Sequence, residues 1–328
     1  MKKVLSLILA LAMVFALVAC GEKQPASDGD ASSDGDKPAR GNVIMTFGTA
    51  DTGGSMYPAG AAVSQVWTNN VEGVKCNTQT STGSFQNCQD VSTGEVDVAV
   101  ATSDVVLNAY NGTGKFADIG KLDNLRVIGA VYTSVLSGVA LKSSGLTYIH
   151  ELLGKRVAVG PAASATENAT LAVFGVMGID SSNTSLENLG LGDGILDAAF
   201  GFAGLPIGGQ LNLAATKEIQ VLDMTQEEID KVLAGNAAYI QTKIPAGTYT
   251  GQDNDANTFG VKCLIIVTAD MDADLVYDLC KAMNEHTEEL AAGNALLKDM
   301  TDPSFLCTQM PIPLHDGAQK YYSEQGLI

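Results

Sequence analysis

The chain has 328 residues, 46% of them hydrophobic and 17% charged, with a net charge of −18 at neutral pH. Those proportions describe a folded body with a sizeable core, one large domain or two of ordinary size. They speak against nucleic acid as a partner, because so acidic a surface cannot neutralise a phosphate backbone, and the acidity serves solubility instead.

The chain opens with Lys2 and Lys3, followed by an apolar run from Val4 to Ala19. A spanning helix needs about 20 apolar residues, so this run fits a cleavable signal core better than a membrane anchor. It ends in "LVAC" before Gly21, which resembles a bacterial lipobox with Cys20 as the residue that takes the lipid. Two acyl chains hold a protein at a membrane where one holds it only marginally. The expected boundaries are a leader over 1–19 and a lipid-anchored linker over 20–41, rich in Gly, Ser, Asp and Pro and without apolar periodicity. Its "DGDASSDGD" is not an EF-hand loop, since Ser33 stands where the turn requires glycine.

From Val43 onward, apolar strands alternate with amphipathic helices. "VIMTF" reads as a strand, and a helix follows through Ala59, Val63, Val66 and Trp67. "VKCNTQT" is a second strand, with a helix from about Ser84 that carries Phe85, Cys88 and Val91 on one face and stops at Gly94. "VDVAVA", the helical "SDVVLNAYNG" and the strand "LRVIGAVY" come next. The rhythm restarts with "SVLSGVAL", a short helix at "YIHELL", the strand "RVAVG", a helix from Ser164 and the strand "LDAAFGF". Near the end lie the strand "VKCLIIVT" and the helix "DLVYDLCKAMNEHTEEL". This order predicts an α/β protein with mostly parallel sheets and two lobes.

In such folds ligands sit at the carboxyl ends of strands. Here those loops read "GTADTGGSMY", "TSTGSF", "ATSD", "VYTS", "GPAASATE" and "FAGLP", small, hydroxylic or glycine, with no Lys, Arg, His or Cys. That is the composition of a backbone-amide cradle for an anion. Ser164 and Glu167 have the spacing of a capping box, so a helix begins there. No P-loop, dinucleotide fingerprint or G-x-S-x-G elbow occurs. His150, His286 and His315 are scattered, so no zinc spacing is present. "DNDANTFGVKCL" fails as a calcium loop at Thr258 and Leu264. Beyond Cys20, the odd number of cysteines (Cys76, Cys88, Cys263, Cys280 and Cys307) implies no disulfide framework, and a Cys76–Cys88 bridge stays open. The expected protein has no catalytic residue, no metal and no cofactor.

The motifs "GTADTGGSMYPAG", "STGSFQN", "TSD", "AYNGTGKFA", "KRVAVGPAASATE", "DAAFGFAGLP" and "IPAGTYTGQD" occur in this order, and the last is quite specific. With them the chain resembles the TAXI family, the solute-binding subunits of TRAP transporters, over essentially all of the mature sequence. The resemblance implies the two-lobed type II periplasmic-binding-protein architecture, with lobe I over 42–131 plus 241–328, lobe II over 132–240, and a ligand cleft between them. It implies an extracytoplasmic receptor on the bacterial cell membrane that captures a small organic anion or amino acid, glutamate-like ligands being typical, and delivers it to an integral TRAP permease. The ligand-binding positions it implies are Thr52, Gly53, Gly54, Tyr57, Thr82, Gly83, Ser103, Tyr132, Ser164, Ala165, Thr166, Ala203 and Gly204. The chain departs from the family where G-S-G-T-E becomes "ASATE", Q-S-D becomes "TSD" and L-Y-P-E becomes "VYTS". An ABC-type receptor, a sensory lipoprotein and an enzyme acting on a small phosphate ester are the alternatives. For the anchor the prediction is direct: Cys20→Ala should release the protein from the membrane fraction or block its processing, and unchanged membrane association would refute lipidation at Cys20.

Overall fold

The structure, a computed structural model, describes residues 41–52, 54–162, 164–189 and 196–328. The leader and the tether as far as residue 40, Cys20 among them, lie outside the described residues, as does Gly53.

The first strand, β1 (Val43–Gly48), buries Met45 and Phe47 and turns Ile44 to the surface, the alternation of a half-covered strand. Helix α1 (Met56–Asn70) buries Ala59, Val63, Val66 and Trp67 at the expected spacing. Then come β2 (Val74–Gln79), α2 (Ser84–Thr93) ending on Gly94, β3 (Val98–Thr102) and α3 (Ser103–Asn111). β1 pairs with β2 and β3 in parallel, as βαβ crossovers require.

The two expected strands "LRVIGAVY" and "SVLSGVAL" are one strand, β4 (Leu125–Leu141). Thr133 and Ser134 at the join do not interrupt it, because both remain in the ladder opposite Lys262 and Val261. β5 (Arg156–Ala158), α4 (Ala165–Met177), β6 (Ser185–Glu187) and β7 (Ala198–Ala203) follow. β5 lies between β6 and β7 and is parallel to both. The sequence reading passed over α5 (Gly208–Ala214), β8 (Ile219–Val221), α6 (Gln226–Gly235) and β9 (Tyr239–Ile244). Of these α6 carried a readable signal, a Thr225–Glu228 capping box.

The chain returns through β10 (Ala256–Thr268) and closes with α7 (Ala273–Glu285), α8 (Thr287–Gly293), α9 (Pro303–Cys307) and α10 (Asp316–Glu324). The helix expected over "DLVYDLCKAMNEHTEEL" breaks at His286 into α7 and α8. Trp67 locks the ends of the chain together: its ring stacks on Phe47 at 5.5 Å and its Nε1 donates to the Leu279 carbonyl at 3.0 Å.

Among the described residues ten strands form one sheet, in the order β2-β1-β3-β10-β4-β7-β5-β6, with β8 added to β4 and β9 to β10. The expected parallel pairing holds only inside each half. β4 and β10 run antiparallel to each other and to every other strand they touch. Helices α1, α7 and α10 cover one face of the first half and α2 and α3 the other. In the second half, α4 and α6 cover one core, while Val135, Val139, Val221, Ile244, Tyr249 and Ala256 share another. Residues 241–259, assigned from sequence to the first lobe, therefore pack with the second. β9 is bonded along the start of β10, so the chain crosses back only within β10.

The five cysteines among the described residues are free and buried, including Cys76 and Cys88. Burial raises the Cys76 and Cys263 thiols to about 11, so they pack as small hydrophobes. Gly260 of β10 has no room for a side chain against β4: a Cβ there would run into the Ser134 carbonyl oxygen and lie 2.9 Å from Thr133 Cγ2. Backbone cannot yield cheaply, so Gly260→Ala should cost about 1–3 kcal/mol. Urea unfolding should show this as a lower midpoint at unchanged slope.

Candidate functional site

The candidate site follows from strand direction. β10 is antiparallel to both β3 and β4, so β3 and β4 run the same way; β7 is antiparallel to β4, so β7 runs against β3. With β1 and β2 parallel to β3, and β5 parallel to β7, the carboxyl ends of the two halves point at each other. The register sets their separation. Thr102, the last residue of β3, and Tyr132 of β4 are both registered with Cys263, while Ala203, the last of β7, is registered with Val135. Three residue steps along β4 are roughly 10 Å, and the lateral path across β10 and β4 is roughly 14 Å.

Helix starts in this molecule are capped unevenly, and α3, α5 and α8 have no side-chain cap. α6, α7, α9 and α10 are each capped by a side chain, from Thr225, Asp272, Asp302 and His315. At α1 and α2 the caps Ser55 and Gly83 make no such bond. The positive ends of their dipoles lie at the ends of β1 and β2. In the second half, α4 keeps its own cap: Ser164 Oγ accepts the Glu167 N–H at 3.1 Å. The capping box is only half formed, because the Glu167 carboxylate accepts from Asn188 Nδ2.

Residues 47–326 match the NMT1-like family. This chain belongs to the NMT1-like family. Its fold is shared with the TctC solute binding protein from Polaromonas, solved with no ligand, at a TM-score of 0.52 and 14% identity over 87% of this chain and 98% of that one. The alkanesulfonate-binding protein SsuA from Xanthomonas axonopodis pv. citri, bound to MOPS, compares at 0.48 and 14% over 87% and 85%. The α/β architecture is that of the type II periplasmic-binding proteins, as the sequence resemblance implies.

In this NMT1-like chain the implied site residues fall into three groups. Thr52, Gly54 and Tyr57 follow β1, Thr82 and Gly83 follow β2, and Ser164, Ala165 and Thr166 follow β5, all at the opposed ends. Thr52, Thr82 and Ala165 are exposed, and Gly83 takes φ +109°, which a side chain would strain. Thr82 turns back on α2, its N–H and Oγ1 both donating to Gln86 Oε1 at 2.9 Å. Thr166 links the loops of the second half by accepting the Phe202 N–H at 3.2 Å.

A second group is buried. Ser103 donates to the Ala238 carbonyl at 3.1 Å, joining the end of β3 to the start of β9. The Tyr132 ring is buried, with its phenol held well above the usual range by desolvation. Gly204, just past Ala203, leaves no room for a Cβ beside the Leu296 side chain and lies against that ring. The third is Gly53, outside the described residues.

Sequence reasoning missed the residues that hold the loops up. Asn87 is fully buried on α2 and donates through Nδ2 to the carbonyls of Thr49 at 2.6 Å and Val100 at 2.7 Å. Ser81 Oγ donates to the same Thr49 carbonyl at 2.8 Å. The legible signal was a polar residue on the apolar face of Phe85, Cys88 and Val91. Among the described residues, no three His, Cys, Asp or Glu side chains group to hold a metal, and no helix is long and apolar enough to cross a membrane.

Asp104 is also unforeseen. Desolvation raises its carboxyl above the usual value, opposed by the Thr102 hydroxyl and the Val105 N–H, and its Oδ1 has no partner among the described residues. A raised carboxyl binds its proton more tightly in the folded state. The folded state therefore loses stability as pH rises from about 4 through that raised value. Asp104→Asn removes this loss. It should stabilise the protein at pH 7 and progressively less toward pH 4, as read from thermal midpoints across that range; an equal effect at both ends would contradict it.

Proposed function

We propose that this protein is an extracytoplasmic, lipid-anchored solute-binding receptor of a TRAP transporter, which captures a small organic anion or glutamate-like amino acid and delivers it to a membrane permease. The observation that carries the reading is the meeting of the starts of α1 and α2 with that of α4 at opposed strand ends, α1 and α2 without a side-chain cap, and with no Lys, Arg, His or Cys in the loops (Gly48–Gly60, Ser81–Ser84 and Gly160–Glu167). Backbone N–H groups and helix dipoles supply the positive potential. The TAXI-like motifs and the lipobox-like leader support the TRAP assignment and the anchor. In this reading Thr52, Gly53, Gly54, Tyr57, Thr82 and Gly83 clamp the anion from one side. Ser164, Ala165, Thr166, Ala203 and Gly204 clamp it from the other.

Ligand at a hundredfold excess over its dissociation constant adds about 2.7 kcal/mol of stability. For a body of roughly 290 residues that is about 4 °C in the midpoint. A thermal-shift panel of glutamate, glutamine, other amino acids, dicarboxylates and short monocarboxylates should yield a hit, with native mass spectrometry identifying any ligand that co-purifies. Ala165→Asp tests the clamp. Residue 165 is exposed in the first turn of α4, where an acidic side chain suits the dipole, so folding should be unharmed. Its charge should abolish the response to an anionic hit. Binding as tight as wild type would remove α4 from the site, and chemical conversion of the hit would overturn the receptor reading.

A further inference from the structure

The motif "IPAGTYTGQD", residues 244–253, lies away from the opposed strand ends, on the far side of the second half. It forms a self-bonded loop. Thr248 donates through N and Oγ1 to the Pro245 carbonyl, Gly247 N–H donates to Gln252 O at 2.9 Å, and Gln252 Nε2 donates to Ile244 O at 3.1 Å. Gly247 and Gly251, at φ +78° and +81°, bracket its turns. Asp255 closes its base by accepting the Ala246 N–H at 2.8 Å. Such loops pack on their own side chains and hold one shape.

What the loop delivers is Tyr249. Its ring is buried among Val135, Val139, Ala214 and Ile219. Its hydroxyl accepts the Ile207 N–H at 3.0 Å. Ile207 is the cap residue of α5 and ends the segment Ala203–Ile207, which leaves β7 at the opposed strand ends. The rest of α5 is fixed to β4 by a reciprocal pair: Ser137 Oγ donates to Gln210 Oε1 at 2.7 Å, and Gln210 Nε2 donates back to Ser137 O at 2.9 Å. The Ser137 hydroxyl also neighbours the Tyr249 phenol. These groups form a small polar network inside an apolar core, where each bond is strengthened by exclusion of water.

We propose that Tyr249 is a positioning residue for the ligand site: through Ile207 it sets the backbone of Ala203 and Gly204 from behind. The proposal rests on the receptor reading for the site it serves. At the front the same segment is confined where Gly204 meets Leu296 and Tyr132. With Tyr249 removed, its rear support is gone while the front contact remains, so the segment is free to shift by the small distances that decide whether a clamp closes on its ligand. The motif then has one physical task, to carry a hydroxyl to a buried amide some forty residues earlier in the chain.

Tyr249→Phe removes the hydroxyl alone and keeps the ring that fills the core. Hydrogen exchange of the unliganded mature protein, followed by mass spectrometry, tests the proposal. Peptides covering 203–210 should exchange at least tenfold faster than in wild type, while those within β4 and β10 keep their wild-type rates. Wild-type exchange over 203–210 would overturn the proposal. So would acceleration spread evenly over the chain, which marks general destabilisation without positioning. No ligand enters this measurement, so its outcome is separate from that of the thermal-shift panel.

Discussion

The antiparallel pairing of β4 with β10 is the constraint on which the rest of the molecule depends. A parallel βαβ series places all its carboxyl ends on one edge, so two such series side by side would offer two unrelated rims. Reversing direction through β4 and β10 turns the second series round, and its rim meets the first. Continuity of one sheet through both halves also fixes their register. The ends of β3 and β7 are held a few residues apart by the same backbone hydrogen bonds that build the core. Gly260 shows how close the pairing is, since the facing carbonyl fills the space a side chain would need.

In the proposed receptor, anions are attracted to that meeting point without cationic side chains. A lysine or arginine would bring a mobile charge with its own hydration, whereas helix N–H groups are fixed in direction by the helix. Side chains cap α4, α6, α7, α9 and α10, whereas α1 and α2, like α3, α5 and α8, start without one. A net charge of −18 makes this local field more notable, because it opposes the sign of the whole surface.

Much of the polar chemistry near the site holds backbone in place. Asn87 and Ser81 converge on one carbonyl, that of Thr49, and so hold the ends of β1 and β3 against α2. Ser103, implied as a ligand residue by its motif, also joins the two halves. A cradle built from backbone needs such supports, since its donors are only as well placed as the loops that carry them.

The sequence alone determined the alternation of strands and helices, because burial on one face imposes a period that can be counted: Ala59, Val63, Val66 and Trp67 in α1, and the alternation of β1, are local properties. It also showed the polar, cation-free loops. Short elements such as β6, β8 and β9 escaped it, since three to six residues on a sheet edge carry too little periodicity to separate from loop. Only the tertiary structure decided that β4 is one strand, that β9 stays with the second half, and that Ser103, Tyr132 and Gly204 are buried in the join. Those facts depend on which strand lies beside which, and on partners distant in the chain. Strand pairing is set by the whole sheet, and no local pattern in the chain encodes it.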